Sequence, residues 1–252
     1  MRQTIRNLLV LVIVFAATTP AARSEDGEKT GWKLDGSLSY LATSGNTDTS
    51  SAGLALDFRR VYEIWMIEAG ATAIQARKDG ATDAESYAAL VRGSRALSER
   101  MSLTSGWKGE KDRFAGVNFR STVDLGVGWK VRTDPKWSVD AVGGVTWTYE
   151  DFTTTDDGGN HPGLLLGGRS EVKISENAST TQVIRIEPNL DDSDDYRIDA
   201  TIGVESSLTD VLAVKLGYDL RYDNQPVPGF EKTDGRVTAS IVVKMRRGSF
   251  AQ

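Results

Sequence analysis

The chain has 252 residues, a formal net charge of −5, a mean hydropathy of −0.32 and no cysteine. Disulfides and thiolate metal centres are thereby excluded, and an acidic chain without a concentrated basic face makes no case for nucleic acid as a partner. Past the N-terminal run no apolar stretch reaches the roughly 18–20 residues of a membrane-spanning helix, but a membrane barrel dilutes its apolar residues by alternation and stays open as a class.

Arg2 and Arg6 precede an apolar run from Leu8 to Ala17, and the small residues Ala21, Ala22 and Ser24 follow. A charged start, a short apolar core and a small-residue exit make a secretory signal peptide, with cleavage after Ala22 or Ser24. The expected organisation is a signal peptide over 1–24, a short linker over 25–31 and one β domain over 32–252.

From Trp32 onward the hydrophobic period is 2. Twelve runs alternate, over 32–43, 49–59, 64–76, 85–97, 101–110, 118–131, 137–149, 163–174, 179–188, 196–208, 211–223 and 233–245. In the sixth, Phe119, Val123, Leu125, Val127, Trp129 and Val131 share one face, while Arg120, Thr122, Asp124 and Lys130 share the other. The eleventh sets Val214, Leu216, Tyr218 and Leu220 against Lys215, Asp219 and Arg221. Such alternation predicts strands with one apolar and one polar face. The fourth and ninth runs are the least regular, because Arg92, Arg95, Arg185 and Glu187 blur the facing.

Short connections near 60–63, 98–100, 132–136, 175–178 and 209–210 alternate with longer polar ones at 44–48, 77–84, 111–117, 150–162, 189–195 and 224–232. Outer-membrane barrels show this asymmetry, with tight periplasmic turns and longer external loops, and an even strand number returns both termini to the periplasmic side. Soluble strands cluster near 5–6 residues, whereas tilted membrane strands need about 9–11, the length most of these runs reach. Aromatics sort the same way. Trp32, Phe58, Trp65, Trp129 and Trp137 fall at one rim, and Tyr40, Tyr87, Trp107, Phe119, Trp147, Tyr149, Tyr196, Tyr218 and Tyr222 at the other. Two interfacial girdles are expected of a membrane barrel. The predicted fold is all-β: a single transmembrane antiparallel up-and-down barrel of about twelve strands.

At the first long loop the sequence reads Ser44-Gly45-Asn46-Thr47-Asp48-Thr49, after Trp32 and a strand carrying Tyr40. With the leader and the all-β remainder, this resembles the DUF481 family over about residues 30 to 250. The resemblance implies an outer-membrane barrel and a link to salt stress through a salt-induced member, and it supplies no catalytic or ligand-binding residues. The chain departs from ordinary barrels at its end: Phe250 is not terminal, so the assembly signal is atypical or internal.

No catalytic constellation is expected. The single histidine, His161, reads as a solvated loop residue, and Ser170 lies nine residues on, roughly 30 Å along a strand at about 3.3 Å per residue. Acidic runs at Asp191-Asp192-Ser193-Asp194-Asp195 and Asp156-Asp157-Gly158-Gly159 offer oxygen ligands of the kind Ca²⁺ prefers, yet like-charged loops are usually just solvated, and no metal or cofactor is expected. The lumen remains. Arg120, Asp124, Lys130, Asp140, Arg169, Glu171, Arg197, Asp199, Lys215, Asp219 and Arg221 are predicted to line it, with signs interleaved. A selective pore would show one sign dominating, whereas interleaved charges suggest ion pairs that rigidify the wall and occlude the bore.

The expected function is that of an outer-membrane barrel, either a small-solute channel or a structural protein of the stressed envelope. A lipid-active enzyme and a soluble periplasmic β-protein are the alternatives. Expected partners are outer-membrane lipid and lipopolysaccharide, the barrel assembly machinery and small polar solutes.

Overall fold

The computed structural model describes residues 30–43, 49–78, 81–153 and 158–248. The proposed leader, most of the linker, the Gly-Asn-Thr-Asp loop, the Asp156-Asp157 pair and Phe250 lie outside the described residues. Twelve strands follow in order: β1 (Gly31–Thr43), β2 (Thr49–Val61), β3 (Trp65–Lys78), β4 (Ala81–Ala96), β5 (Met101–Asp112), β6 (Val117–Thr133), β7 (Trp137–Phe152), β8 (Asn160–Lys173), β9 (Ala178–Pro188), β10 (Tyr196–Ser207), β11 (Leu212–Asp223) and β12 (Thr233–Gly248). Each pairs antiparallel with its sequence neighbours, and β1 pairs with β12 from Gly31↔Gly248 to Ser39↔Ser240. Closure leaves no edge strand whose unpaired N–H and C=O groups would have to face lipid.

The predicted twelve-strand barrel is the observed one, but the strands overrun their predicted ends at the loop side. β4 begins at Ala81 rather than 85, β7 reaches Phe152 rather than 149, and β8 begins at Asn160 rather than 163. Alternation stops where lipid contact stops, whereas main-chain pairing of a hairpin continues into water with any polar side chain. His161 and Pro162 therefore belong to β8, paired with Thr148 and Trp147.

The opposite end is built of short turns with a shared device. Ser98 Oγ accepts from the backbone N–H of Arg100 and Met101, Ser175 Oγ from Asn177 and Ala178, and Thr209 Oγ1 from Val211 and Leu212. A hydroxyl at the first turn position replaces the main-chain acceptor the reversing chain has lost.

Burial is inverted relative to a water-soluble domain. Only five apolar residues are buried among those described, against twelve polar or charged ones, so the sequestered side of the sheet is its polar face. Leu54, Leu56, Val123, Leu125, Val127, Val145, Leu216 and Ile241 point outward and exposed, as a wall solvated by hydrocarbon requires. The aromatics mark its borders: Trp65, Trp129 and Trp137 are exposed near the short turns, and Tyr40, Trp107, Phe119, Trp147, Tyr149 and Tyr218 toward the loops. The irregular strands resolve once paired. Arg185 and Glu187 share the inward parity of Asp199 and Arg197, their partners across β9 and β10.

β6 and β7 approach closely where Gly126 faces Gly144. A Cβ at Gly144 would lie 2.3 Å from the Leu125 carbonyl oxygen and 2.6 Å from Gly126 Cα, both backbone. Gly144→Ala is expected to lower stability by about 1–3 kcal/mol, the range for overpacking. The check is the urea midpoint of unfolding in detergent micelles against Gly143→Ala, whose Cβ would meet nothing closer than 4.0 Å. Equal midpoints would show that the two strands part easily.

Candidate functional site

The loop-side half of the bore is filled by charged side chains that reach across it. Arg221 on β11 contacts Asp112 and, at 3.8 Å, Glu110, both on β5, six strands away around a ring of twelve. Lys108 on β5 reaches Asp199 on β10 at 3.6 Å while holding Glu110 at 2.8 Å. Arg120 on β6 binds Glu110 at 3.0 Å, binds Glu150 on β7 through Nε, and approaches Asp223 on β11 at 3.9 Å. Arg197 on β10 reaches the same Glu150. One layer deeper, Asp124 on β6 is 1% exposed and meets Arg92 of β4 at 3.1 Å and Arg185 of β9 at 3.6 Å. Arg185 in turn holds Glu187 at 2.6 Å.

Pairs between opposite walls narrow the bore at this level. Six cations (Arg92, Lys108, Arg120, Arg185, Arg197, Arg221) meet seven carboxylates (Glu110, Asp112, Asp124, Glu150, Glu187, Asp199, Asp223), so the layer is close to neutral and presents no single-sign selectivity ring. The space left among Lys108, Glu110, Arg120, Asp199 and Arg221 is about 40 Å³, enough for a very few water molecules.

A roof completes the closure. The connection from β11 to β12 buries Val227 and places the Phe230 ring against Gly116, whose φ of +71° and missing Cβ let the ring sit within 2.5 Å of where a Cβ would be. Asn224 Nδ2 donates to the Asp194 carbonyl at 2.8 Å and Gln225 Nε2 to Asp192 at 3.0 Å, which ties this roof to the β9–β10 connection. The acidic run there thus serves as an anchor. Asp192 also accepts from the Asp194 N–H and Asp195 from Asn189, and no group of three or more candidate metal ligands occurs among the described residues.

The turn-side half is different in kind. Its pairs run along the wall: Arg59 to Glu68 at 2.6 Å, Arg169 to Glu171 at 3.6 Å, Lys33 to Asp35 at 3.2 Å and Lys244 to Glu205 at 2.5 Å. Arg169 and Glu171 are 45% and 44% exposed although they point inward, so water fills this half. Lys130, Asp140 and Lys215 make no ion pair within 4.0 Å among the described residues and face this wet vestibule.

The structure therefore divides the predicted lumen residues. Arg120, Asp124, Arg197, Asp199 and Arg221 join the plug, whereas Lys130, Asp140, Arg169, Glu171 and Lys215 line the vestibule. Asp219 sits between them, held by Arg236 at 3.3 Å and the Thr201 hydroxyl at 2.8 Å. The expectation of a solvated His161 is corrected: its side chain is 12% exposed and Nε2 lies 3.7 Å from Glu150 Oε2, because β8 continues past the predicted loop boundary and turns residue 161 inward. Asp112 and Glu150 lie past the predicted strand ends and were missed for the same reason, whereas Glu110, the last residue of its predicted strand, was left out although its parity with Lys108 marks it as inward.

A closed antiparallel barrel with an apolar outer wall, a polar interior and no helix long and apolar enough to cross a membrane among the described residues is an outer-membrane-type β-barrel. One solved structure supports the fold, and two others are similar more loosely. The NanC porin superposes with a TM-score of 0.52 at 10% identity, covering 83% of this chain and 98% of that one. An outer membrane channel from Pseudomonas putida F1 gives 0.48 at 15% identity over 89% and 100%, and the KdgM porin 0.42 at 8% over 84% and 98%. The chain belongs to DUF481, a family described as proteins of unknown function, whose pattern matches residues 36–245. Comparison with curated proteins finds no match.

Proposed function

We propose that this protein spans the outer membrane as a pathway for small polar solutes that is held shut by an ionic plug in its external half. The carrying observation is the contrast along the bore: a water-filled vestibule open to the turn side ends at Arg221–Asp112, Lys108–Asp199 and Arg120–Glu150, where side chains alone bridge opposite and neighbouring walls. Side chains can swing aside without refolding a strand, so the closure is breakable. A twelve-stranded interior is intermediate between filled eight-stranded barrels and 16–18-stranded porins, wide enough for a path once the plug parts. No catalytic role is part of this reading; Ser170 Oγ accepts from the outward Trp137 indole at 3.0 Å, on the face opposite His161.

The same cross-bracing favours a second reading, a structural barrel whose interior ties its walls together. Single-channel recording of the refolded, heat-modifiable protein in a planar bilayer separates the two. The channel reading expects rare, brief, discrete steps from the wild-type protein. Complete silence at both polarities, retained when the plug is dismantled, would leave the structural reading.

A further inference from the structure

On the lipid-facing wall, at the turn-side rim, Trp32 of β1 stands between two arginines. It pairs with Arg60 of β2 on one side and with Arg247 of β12 on the other, and alternation sends all three outward. Together with Thr30 and the backbone of Gly31 they line an open notch of about 340 Å³. Arg60 stacks its guanidinium 5.0 Å from the Tyr62 ring centroid, which fixes its plane, yet its Nε is buried with no hydrogen-bond partner among the described residues. Neither Arg60 nor Arg247 has a carboxylate within 4.0 Å among those residues.

Other outward arginines on this rim hold a carboxylate or stand singly beside a ring. A bulge between Lys130 and Arg132 turns Arg132 outward over Trp137, at 4.2 Å from the ring, where it also pairs with Asp134, and Arg95 lies 5.8 Å from Trp65. Among the described residues, only the notch at Trp32 sets two guanidiniums without carboxylate partners around an indole. Planar guanidinium forks match the oxygens of a phosphodiester, and an indole at the interface packs against the glycerol backbone and upper acyl chain beneath it.

We infer that this notch binds the phosphodiester headgroup of an anionic glycerophospholipid in the leaflet bordering the short turns. The site rests on the membrane-spanning reading but not on the channel reading, so its failure would leave the conductance experiments untouched. Arg60 and Arg247 would clasp the phosphate oxygens through the ends of their guanidinium groups, and Trp32 would hold the lipid at rim depth.

The test is native mass spectrometry of the refolded protein in micelles doped with phosphatidylglycerol or, separately, phosphatidylcholine of the same acyl chains. Retention of phosphatidylglycerol about tenfold above phosphatidylcholine is expected, each arginine near a surface being worth about fivefold in binding. Arg60→Gln or Arg247→Gln should each lose about fivefold and the double variant roughly twentyfold, with the heat-modifiable folded band unchanged. The rim positions are outside the bore, and either single variant reports should the double fail to fold. Equal retention of the two lipids by the wild-type protein overturns the inference. So does retention unchanged in the variants, which would assign the arginines to a carboxylate of the chain's own termini. Displacement by millimolar inorganic phosphate overturns the lipid assignment in favour of a free-phosphate site.

Discussion

Arg120→Ala is expected to destabilise the barrel by about 3–5 kcal/mol, the range for removing one partner from a buried ionic group. Arg120 contacts Glu110 and Glu150 and approaches Asp223, and its own side chain is 12% exposed. Its removal takes a counter-charge from two carboxylates on the strands either side of β6, with Glu110 left to Lys108 and Arg221 and Glu150 to Arg197 and His161. Alanine has no donor to offer, and both carboxylates are largely buried. The urea midpoint of unfolding in micelles reads the effect. Arg169→Ala provides the contrast: that pair is nearly half exposed, so its loss should fall within the roughly 0–1 kcal/mol of a solvated ion pair. Near-equal midpoints for the two variants would mean that the plug is hydrated throughout, and the closed-bore argument would fail with it.

Dismantling the plug across its longest span should open the bore. Arg221 and Lys108 make the contacts that join β5 to β11 and β10, the walls most nearly opposite. Arg221→Ala combined with Lys108→Ala removes those bridges and two long side chains while leaving Arg120 and Arg197 to hold Glu150. Sustained openings are expected, with mean current about tenfold or more above wild type, since a twelve-stranded bore exceeds the size that side chains fill unaided. The current should also favour cations, because the double variant leaves Glu110, Asp112 and Asp199 facing the gap with fewer counter-charges. Lys130→Ala with Lys215→Ala, in the vestibule, should shift ion preference without changing how often the bore opens. An unchanged, silent double plug variant would show that the roof around Val227 and Phe230 closes the mouth by itself, or that the barrel is purely structural.

The parts of this molecule legible in the sequence are those governed by the two solvents of the sheet. Lipid on one face and a polar interior on the other force a strict period of 2, so the mid-strand stretches of β6, β7, β10 and β11 declare both their conformation and their facing. Alternation is a local property, carried by each residue and its second neighbour. The turns are local too: Ser98, Ser175 and Thr209 each open a reversal that their own hydroxyl stabilises.

Alternation along the chain was enough to give the strand count, the two girdles, the facing of Arg120, Asp124, Arg197, Asp199 and Arg221, and the mixed sign of the interior. Which charges meet depends on the closed ring. Arg221 and Asp112 are 109 residues apart and come together because ring closure sets β11 opposite β5, a relation no periodicity encodes. Strand ends past the membrane border were equally hidden, since water accepts any polar side chain and the alternation there carries no information. That is where Asp112, Glu150 and His161 lie, at the level of the ion pairs that cross the bore.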